Sequence, residues 1–200
     1  MAAVAGASYP VSLELDAPLE VARWRPLVHW LLSIPYYVVL YILQVALGVV
    51  TFIAWFVILF TANLPEGMFD FMVSVHRFQW RFSSYLFFMR EPYPPFELTG
   101  PNIDAGTDPP TRFSIERPER LSRGLIFVKW LLAIPHEIVL LFLLLGAMVA
   151  AFIGFFAVLI TGRWPEGLRN YIVGVHRWAY RVEAYVYLLT DVYPPFRLEP

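Results

Sequence analysis

Residues 64–98 read LPEGMFDFMVSVHRFQWRFSSYLFFMREPYPPFEL, and residues 164–198 read WPEGLRNYIVGVHRWAYRVEAYVYLLTDVYPPFRL. The second stretch is the first, shifted by 100 positions. Extended outward, the match lays Trp30–Leu98 on Trp130–Leu198 without a gap, with 28 of 69 pairs identical. The identities are not confined to common apolar residues. They include Pro35 and Pro135, Pro65-Glu66-Gly67 and Pro165-Glu166-Gly167, His76-Arg77 and His176-Arg177, Arg81 and Arg181, and Tyr93 to Phe96 with Tyr193 to Phe196. Self-similarity at a fixed period sets the architecture before any local signal does. The chain is therefore expected as a membrane repeat over 11–98, a linker over 99–110 and a second repeat over 111–200.

Composition gives the repeats their environment. The chain is 58% hydrophobic and 16% charged, against about 45–50% and about 25% in soluble domains. That points to an integral membrane protein. A net charge of −1 offers no basic field for nucleic acid. The absence of cysteine excludes thiol catalysis, disulfides and Cys-ligated zinc. Fourteen of the 15 basic residues are Arg, a bias attributed to genome composition. Met1 to Pro10 has no basic region followed by an apolar stretch, so no cleavable signal peptide is expected.

Each copy opens with an alternating segment, Val11 to Leu15 or Phe113 to Glu116, aligned at an offset of 102. Period-two alternation predicts a half-buried strand. A basic turn and a long apolar run follow, Leu27 to Ala62 and Leu125 to Gly162. At about 36 residues, or roughly 54 Å as one helix, that run exceeds the roughly 30 Å apolar core of a bilayer. Either Pro35 and Pro135 divide it into an interfacial helix and a span, or it folds as a hairpin of two short spans. The first is preferred, because no turn cluster marks its middle and Trp24, His29 and Trp30 suit an interface. The third element, Met68 to Met89 and Leu168 to Leu189, ends at Tyr-Pro-Pro-Phe, where paired prolines forbid helix. Short tails, Phe96 to Leu98 and Phe196 to Leu198, are expected as closing strands. The linker, Thr99 to Pro110, is rich in Pro, Gly, Asp and Thr.

Arg and Lys crowd the flanks that hold the strands, which places that side and both termini in the cytoplasm. If each copy crosses twice, the repeat is parallel, with a pseudo-two-fold axis along the membrane normal. The fold expected is thus an all-α integral membrane protein, helical with a tandem parallel repeat, carrying short cytoplasmic β-strands paired in one small sheet.

Candidate site residues cluster on the third element. Val73, Arg77, Arg81 and Tyr85 are four apart and form one helical stripe, repeated as Val173, Arg177, Arg181 and Tyr185. His76 and His176 flank it. Ionisable groups in an apolar segment mark a site by default, and guanidinium suits phosphate. One reading is therefore a pair of surfaces for lipid head groups or another anion. The other is structural, with the arginines snorkelling to head groups or pairing with Glu66. Neither His76 nor His176 has a His or carboxylate at i+3 or i+4, so no metal site is expected. His136-Glu137 replaces Tyr36-Tyr37, and Glu137 is a candidate ionisable site or a solvated head-group neighbour.

The run Thr161-Gly162-Arg163-Trp164-Pro165-Glu166-Gly167, continued by His176-Arg177-Trp178 and by Tyr185, Leu188 to Asp191 and Tyr193 to Phe196, resembles a bacterial membrane family known as domain of unknown function 4389. Copy one is similar, with Phe60-Thr61, Pro65, Gly67, Arg77 and Tyr93 to Phe96, but departs at Ala62-Asn63-Leu64. The resemblance implies a tandem multi-pass membrane protein and no particular activity. No nucleophile elbow, phosphate loop or dinucleotide fingerprint appears, so neither enzyme nor cofactor is expected. The function expected is that of a small multi-pass membrane scaffold or accessory subunit. Its partners would be membrane lipids, another membrane protein, or itself as a homo-oligomer. The alternative is a transporter or channel subunit with a path between repeats or protomers, lined by Arg81, Arg181 or Glu137.

Overall fold

A computed structural model describes residues 9–98 and 100–200. The stretch before Tyr9, where a signal peptide was not expected, and Thr99 of the linker lie outside them. Copy one comprises strand β1 (Val11–Leu15) and helices α1 (Arg25–Leu32), α2 (Ile34–Thr61) and α3 (Glu66–Leu86). Copy two comprises β2 (Thr111–Ile115), a single 3-10 turn at Leu125–Phe127, α4 (Lys129–Thr161) and α5 (Glu166–Val186).

The apolar run is not a hairpin in either copy. In copy one it divides two residues before the proline: Ser33 closes α1, its hydroxyl donating to His29 O at 2.6 Å, and Pro35 stands in the first turn of α2. In copy two α4 continues through Pro135. A proline removes one backbone donor, and an otherwise apolar, well-packed helix tolerates that loss. The expected break at proline is thus shifted in one copy and missing in the other. α2 and α4 are the two described helices long and apolar enough to cross a membrane. The tails expected as closing strands are not strands, so the sheet has two members rather than four. Paired prolines just before each tail offer no backbone donor to a ladder.

β1 and β2 pair antiparallel, with Leu13 opposite Phe113 and Glu14 opposite Arg112. Hydrogen bonds recur across the molecule with both partners moved by 100. Asp16 N donates to Pro110 O and Glu116 N to Pro10 O; Val21 N donates to Gly162 O and Leu121 N to Ala62 O. Ala22 N donates to Glu91 and Ser122 N to Asp191. The strands thus obey the same offset of 100 as the helices, correcting the 102 read from their alternation. Thr111, Phe113 and Ile115, the buried residues of β2, answer Val11, Leu13 and the half-buried Leu15.

The same reciprocity fixes direction. The segment leading into α1 lies beside the end of α4, and the segment leading toward α4 lies beside the end of α2, where Arg123 donates to Phe60 O at 3.0 Å. α2 and α4 therefore run antiparallel about a pseudo-two-fold axis perpendicular to both. This corrects the expectation of same-sense crossings with the Pro-Glu-Gly turns remote from the strand flank. Each turn instead sits against the other copy's pre-helical segment.

Three layers result. α2 packs on α3 and α4 on α5, joined by Gln44 donating to Gln79 at 2.7 Å and by Tyr171 donating to Leu143 O at 3.0 Å. The strands exchange: β2 lies on α3 and β1 on α5. Arg77 donates to Phe113 O and Arg177 to Leu13 O, and Trp80 adds a bond from α3 to Glu14 O of β1. Arg77 and Gln79 are two positions apart, roughly 200° around the helix. The ribbon and α2 therefore cover opposite sides of α3. The main core, including Leu47, Phe69, Trp80, Phe113, Trp164 and Tyr180, fills the space between layers.

Candidate functional site

Helix α3 presents the Arg77–Arg81 pair because residues four apart share a face. In copy one that face is closed by the linker. Arg77 donates through Nε to Phe113 O at 3.1 Å and meets Asp104 at 3.1 Å, while its Nη2 donates to both Pro101 O and Asn102 O. Arg81 donates to Glu97 and to Thr107 Oγ1, each at 3.0 Å, and stands 3.7 Å from Asp108. Arg90 makes a two-pronged pair with the same Asp108, which is 3% exposed. Three carboxylates thus balance three buried guanidinium groups. A buried charge is tolerated only when paired and hydrogen-bonded in this way. Glu66 takes no part; it lies 3.5 Å from Arg117 at the surface.

Copy two is charged differently. Arg177 donates to Leu13 O and Leu198 O, and Arg181 to Arg197 O and Glu199 O, all backbone carbonyls. No carboxylate pairs with either among the described residues. The position of Glu97 is held by Arg197, so an acid of copy one has become a third base. Arg181 is 2% exposed, and its Nε has no hydrogen-bond partner among the described residues. Burial, then the neighbouring Arg197 and Arg177, pulls its guanidinium down to about 10. A cleft of about 390 Å³ opens beside it, lined by Tyr9, Ser12, Glu14, Arg177, Arg181 and Arg197 among others.

The remaining candidates are dispersed. His76 and His176 face the interface between copies, not the arginine stripe. Each sets Nδ1 against the carbonyl four residues back, Met72 O at 2.7 Å and Ile172 O at 2.9 Å, so Nδ1 carries the proton. Beyond that bond, His76 meets Glu183 and His176 meets Trp80. Tyr85 stacks on His29 at 3.9 Å, while Tyr185 lies under the Lys129 ammonium at 5.0 Å. Glu137 is exposed, one residue from the buried His136, which accepts from Trp178 Nε1 at 3.0 Å. Arg81 is closed over by the linker, Arg181 borders the cleft and Glu137 is exposed on α4. Among the described residues, no group of three His, Asp or Glu is placed to hold a metal ion.

A family model described as Domain of unknown function (DUF4389) matches residues 23–97 and again 123–197. The chain belongs to the DUF4389 family. No curated protein and no solved structure matches it. Each DUF4389 segment runs from the basic turn to Tyr-Pro-Pro-Phe, so Arg77, Arg81, Arg177 and Arg181 lie within the repeated unit. Asp104 and Asp108 lie between the two DUF4389 segments. Reading the repeated residues alone therefore finds the bases and misses the acids that close on them. The signal available was the linker itself, whose acids are four apart like the arginines. A second signal was the exchange of Glu97 for Arg197 at the repeat offset.

Proposed function

We propose that this DUF4389 protein is a non-enzymatic membrane scaffold that lies in the membrane plane, with α2 and α4 embedded lengthwise in one leaflet and the ribbon side turned to water. The observation that carries this reading is where polarity falls along the long helices. No exposed residue of α2 is charged, and on α4 only Glu137 is. Tyr41, Phe52 and Phe60 are 67–74% exposed, and Phe142, Phe152 and Ile160 65–67%. A continuous apolar surface of this kind needs a lipid or protein cover.

The charged ribbon, with Glu14 and Arg112 exposed, stands over the middle of α3 and α5, which stand over the middle of α2 and α4. Spanning would put that ribbon at the bilayer centre, where a charged side chain costs at least about 2.5 kcal/mol. Lying flat puts it in water. Length agrees: 28 and 33 residues are roughly 42 and 50 Å, more than the roughly 30 Å of hydrocarbon. Trp30 and Trp130, 59% and 63% exposed, would anchor the layer at head-group depth.

The chain has no cysteine, so single-cysteine variants test this directly. Asn63→Cys and Arg163→Cys mark the two turns, which lie at opposite ends of the helical layer. An impermeant maleimide added to one face of sealed, oriented vesicles should label both or neither, and Glu14→Cys with them. Labelling of the two turns from opposite faces would establish an inverted transmembrane pair and end the in-plane reading.

A further inference from the structure

The offset of 100 that relates the helices and strands also covers the linker. Residues 101–110, PNIDAGTDPP, fall opposite residues 1–10, MAAVAGASYP, sharing Ala, Gly and the final Pro. At that offset Asp104 answers to Val4, Thr107 to Ala7 and Asp108 to Ser8, and residues 1–8 contain no acid. Together with Glu97 becoming Arg197, every carboxylate that closes on Arg77 and Arg81 is missing from copy two. The guanidinium groups it served remain.

We infer that the Arg177–Arg181–Arg197 cleft is a docking groove for an acidic segment of a partner protein, one carrying two carboxylates four residues apart. The linker is the built-in example of such a ligand. It shows what this arginine spacing accepts: Asp104 on Arg77 at 3.1 Å and Asp108 beside Arg81 at 3.7 Å, with backbone carbonyls of Pro101 and Asn102 completing the first guanidinium. In copy two the matching Arg181 is 2% exposed and meets only the backbone carbonyls of Arg197 and Glu199, with none of the carboxylates that neutralise Arg81. Burial pulls the Arg177 guanidinium down; Glu14 and Glu199 oppose that only in part and make no ion pair with it. A buried guanidinium without a counter-ion is costly, and an incoming carboxylate removes that cost.

A peptide is favoured over a lipid phosphate by position. The cleft is walled by β1 and lies on the ribbon side of α5, a helix layer away from the apolar face of α4. This inference deepens the scaffold reading by giving the partner's chemistry. Its test is run in detergent, so failure there leaves the in-plane reading to the cysteine labelling.

The probe is a fluorescein-labelled peptide of residues 101–110, added to the full chain in neutral micelles and followed by anisotropy. Saturable binding that weakens with salt is expected. Replacing both aspartates by asparagine should weaken it at least about tenfold, as loss of charge-assisted pairs does. Arg197 is exposed, so Arg197→Glu spares the core while restoring the copy-one arrangement, and it should weaken binding at least as much. No binding to the wild type, or equal binding by Arg197→Glu or by the asparagine peptide, overturns the proposal. Binding of inorganic phosphate without the peptide overturns it in favour of a small-anion site.

Discussion

His76 Nε2 stands 3.7 Å from Glu183 Oε2, joining α3 of one copy to α5 of the other. The distance is too long for a hydrogen bond, and the surroundings disfavour the charged form of each group. Burial, reinforced by the charge of Glu137, pushes the Glu183 carboxyl up to about 7, and burial pulls His76 down to about 4. The folded chain therefore holds the Glu183 proton more tightly than the unfolded chain does. Stability from that group is full below its ordinary value of 4.5 and is lost as pH rises through about 7. The His76 contribution is full above 6.5 and is lost as pH falls toward 4. Glu183→Gln should remove the first dependence and keep the second. Thermal unfolding in detergent should show the variant gaining on the wild type between about pH 5 and 8. A wild-type-to-variant gap that does not move over that range would rule out the Glu183 titration.

Asp108 accepts from both terminal nitrogens of Arg90 and from Thr111, and faces Arg81. Asp108→Asn leaves two buried guanidinium groups short of a counter-charge at once. Removing one partner of a buried pair costs about 3–5 kcal/mol. Denaturant unfolding should show a loss of that size, and added salt should restore little of it, because buried pairs are weakly screened. A loss under about 1 kcal/mol, the range of exposed pairs, would mean that the linker is not the latch described.

The repeat, the helices and the first strand were legible because periodicity and rare residues survive any environment, whereas the second strand lies two residues earlier than its alternation suggested and the tails form none. Pro65-Glu66-Gly67 and Tyr-Pro-Pro-Phe mark the same boundaries in both copies. Direction was not legible. The charge-flank argument assumed that each copy crosses the membrane twice, whereas α2 and α4 run antiparallel because each turn docks on the other copy through Val21–Gly162 and Leu121–Ala62. Such long-range backbone pairs leave no mark in side-chain pattern. The arginine stripe was found, but its meaning was not. Whether Arg77 binds a ligand or the chain itself depends on Asp104, 27 residues away and outside the repeated unit.

Ala62 adopts φ 57° at the end of α2, and its N–H donates to Ile58 O at 2.8 Å. Gly162 closes α4 in the same left-handed conformation at φ 73°. A Cβ is disfavoured there, and glycine is the usual residue. Ala62→Gly should therefore raise stability, by about 0.5–1 kcal/mol once the greater freedom of the unfolded chain is subtracted. The check is the shift in Tm. A lower Tm would mean that Ala62 makes a contact worth more than its strain.

Gly154 and Trp164 fit one another by volume, and the repeat supplies the control. A Cβ built at 154 would overlap the six-membered ring of Trp164, which is itself 1% exposed, stacked on Phe88 at 4.9 Å and donating to Phe88 O at 2.9 Å. Copy one places Ala54 and Leu64 at the same two positions, both buried. The larger helix residue thus goes with the smaller turn residue. Gly154→Ala should cost about 1–3 kcal/mol through overpacking. Trp164→Leu alone should cost about as much or more, since it opens a cavity and abandons the bond to Phe88 O. The double variant recreates the copy-one pair. A double-mutant cycle should give a coupling energy of at least about 0.5 kcal/mol in the direction of rescue. Additive losses would show that the ring and the helix do not compete for the same space.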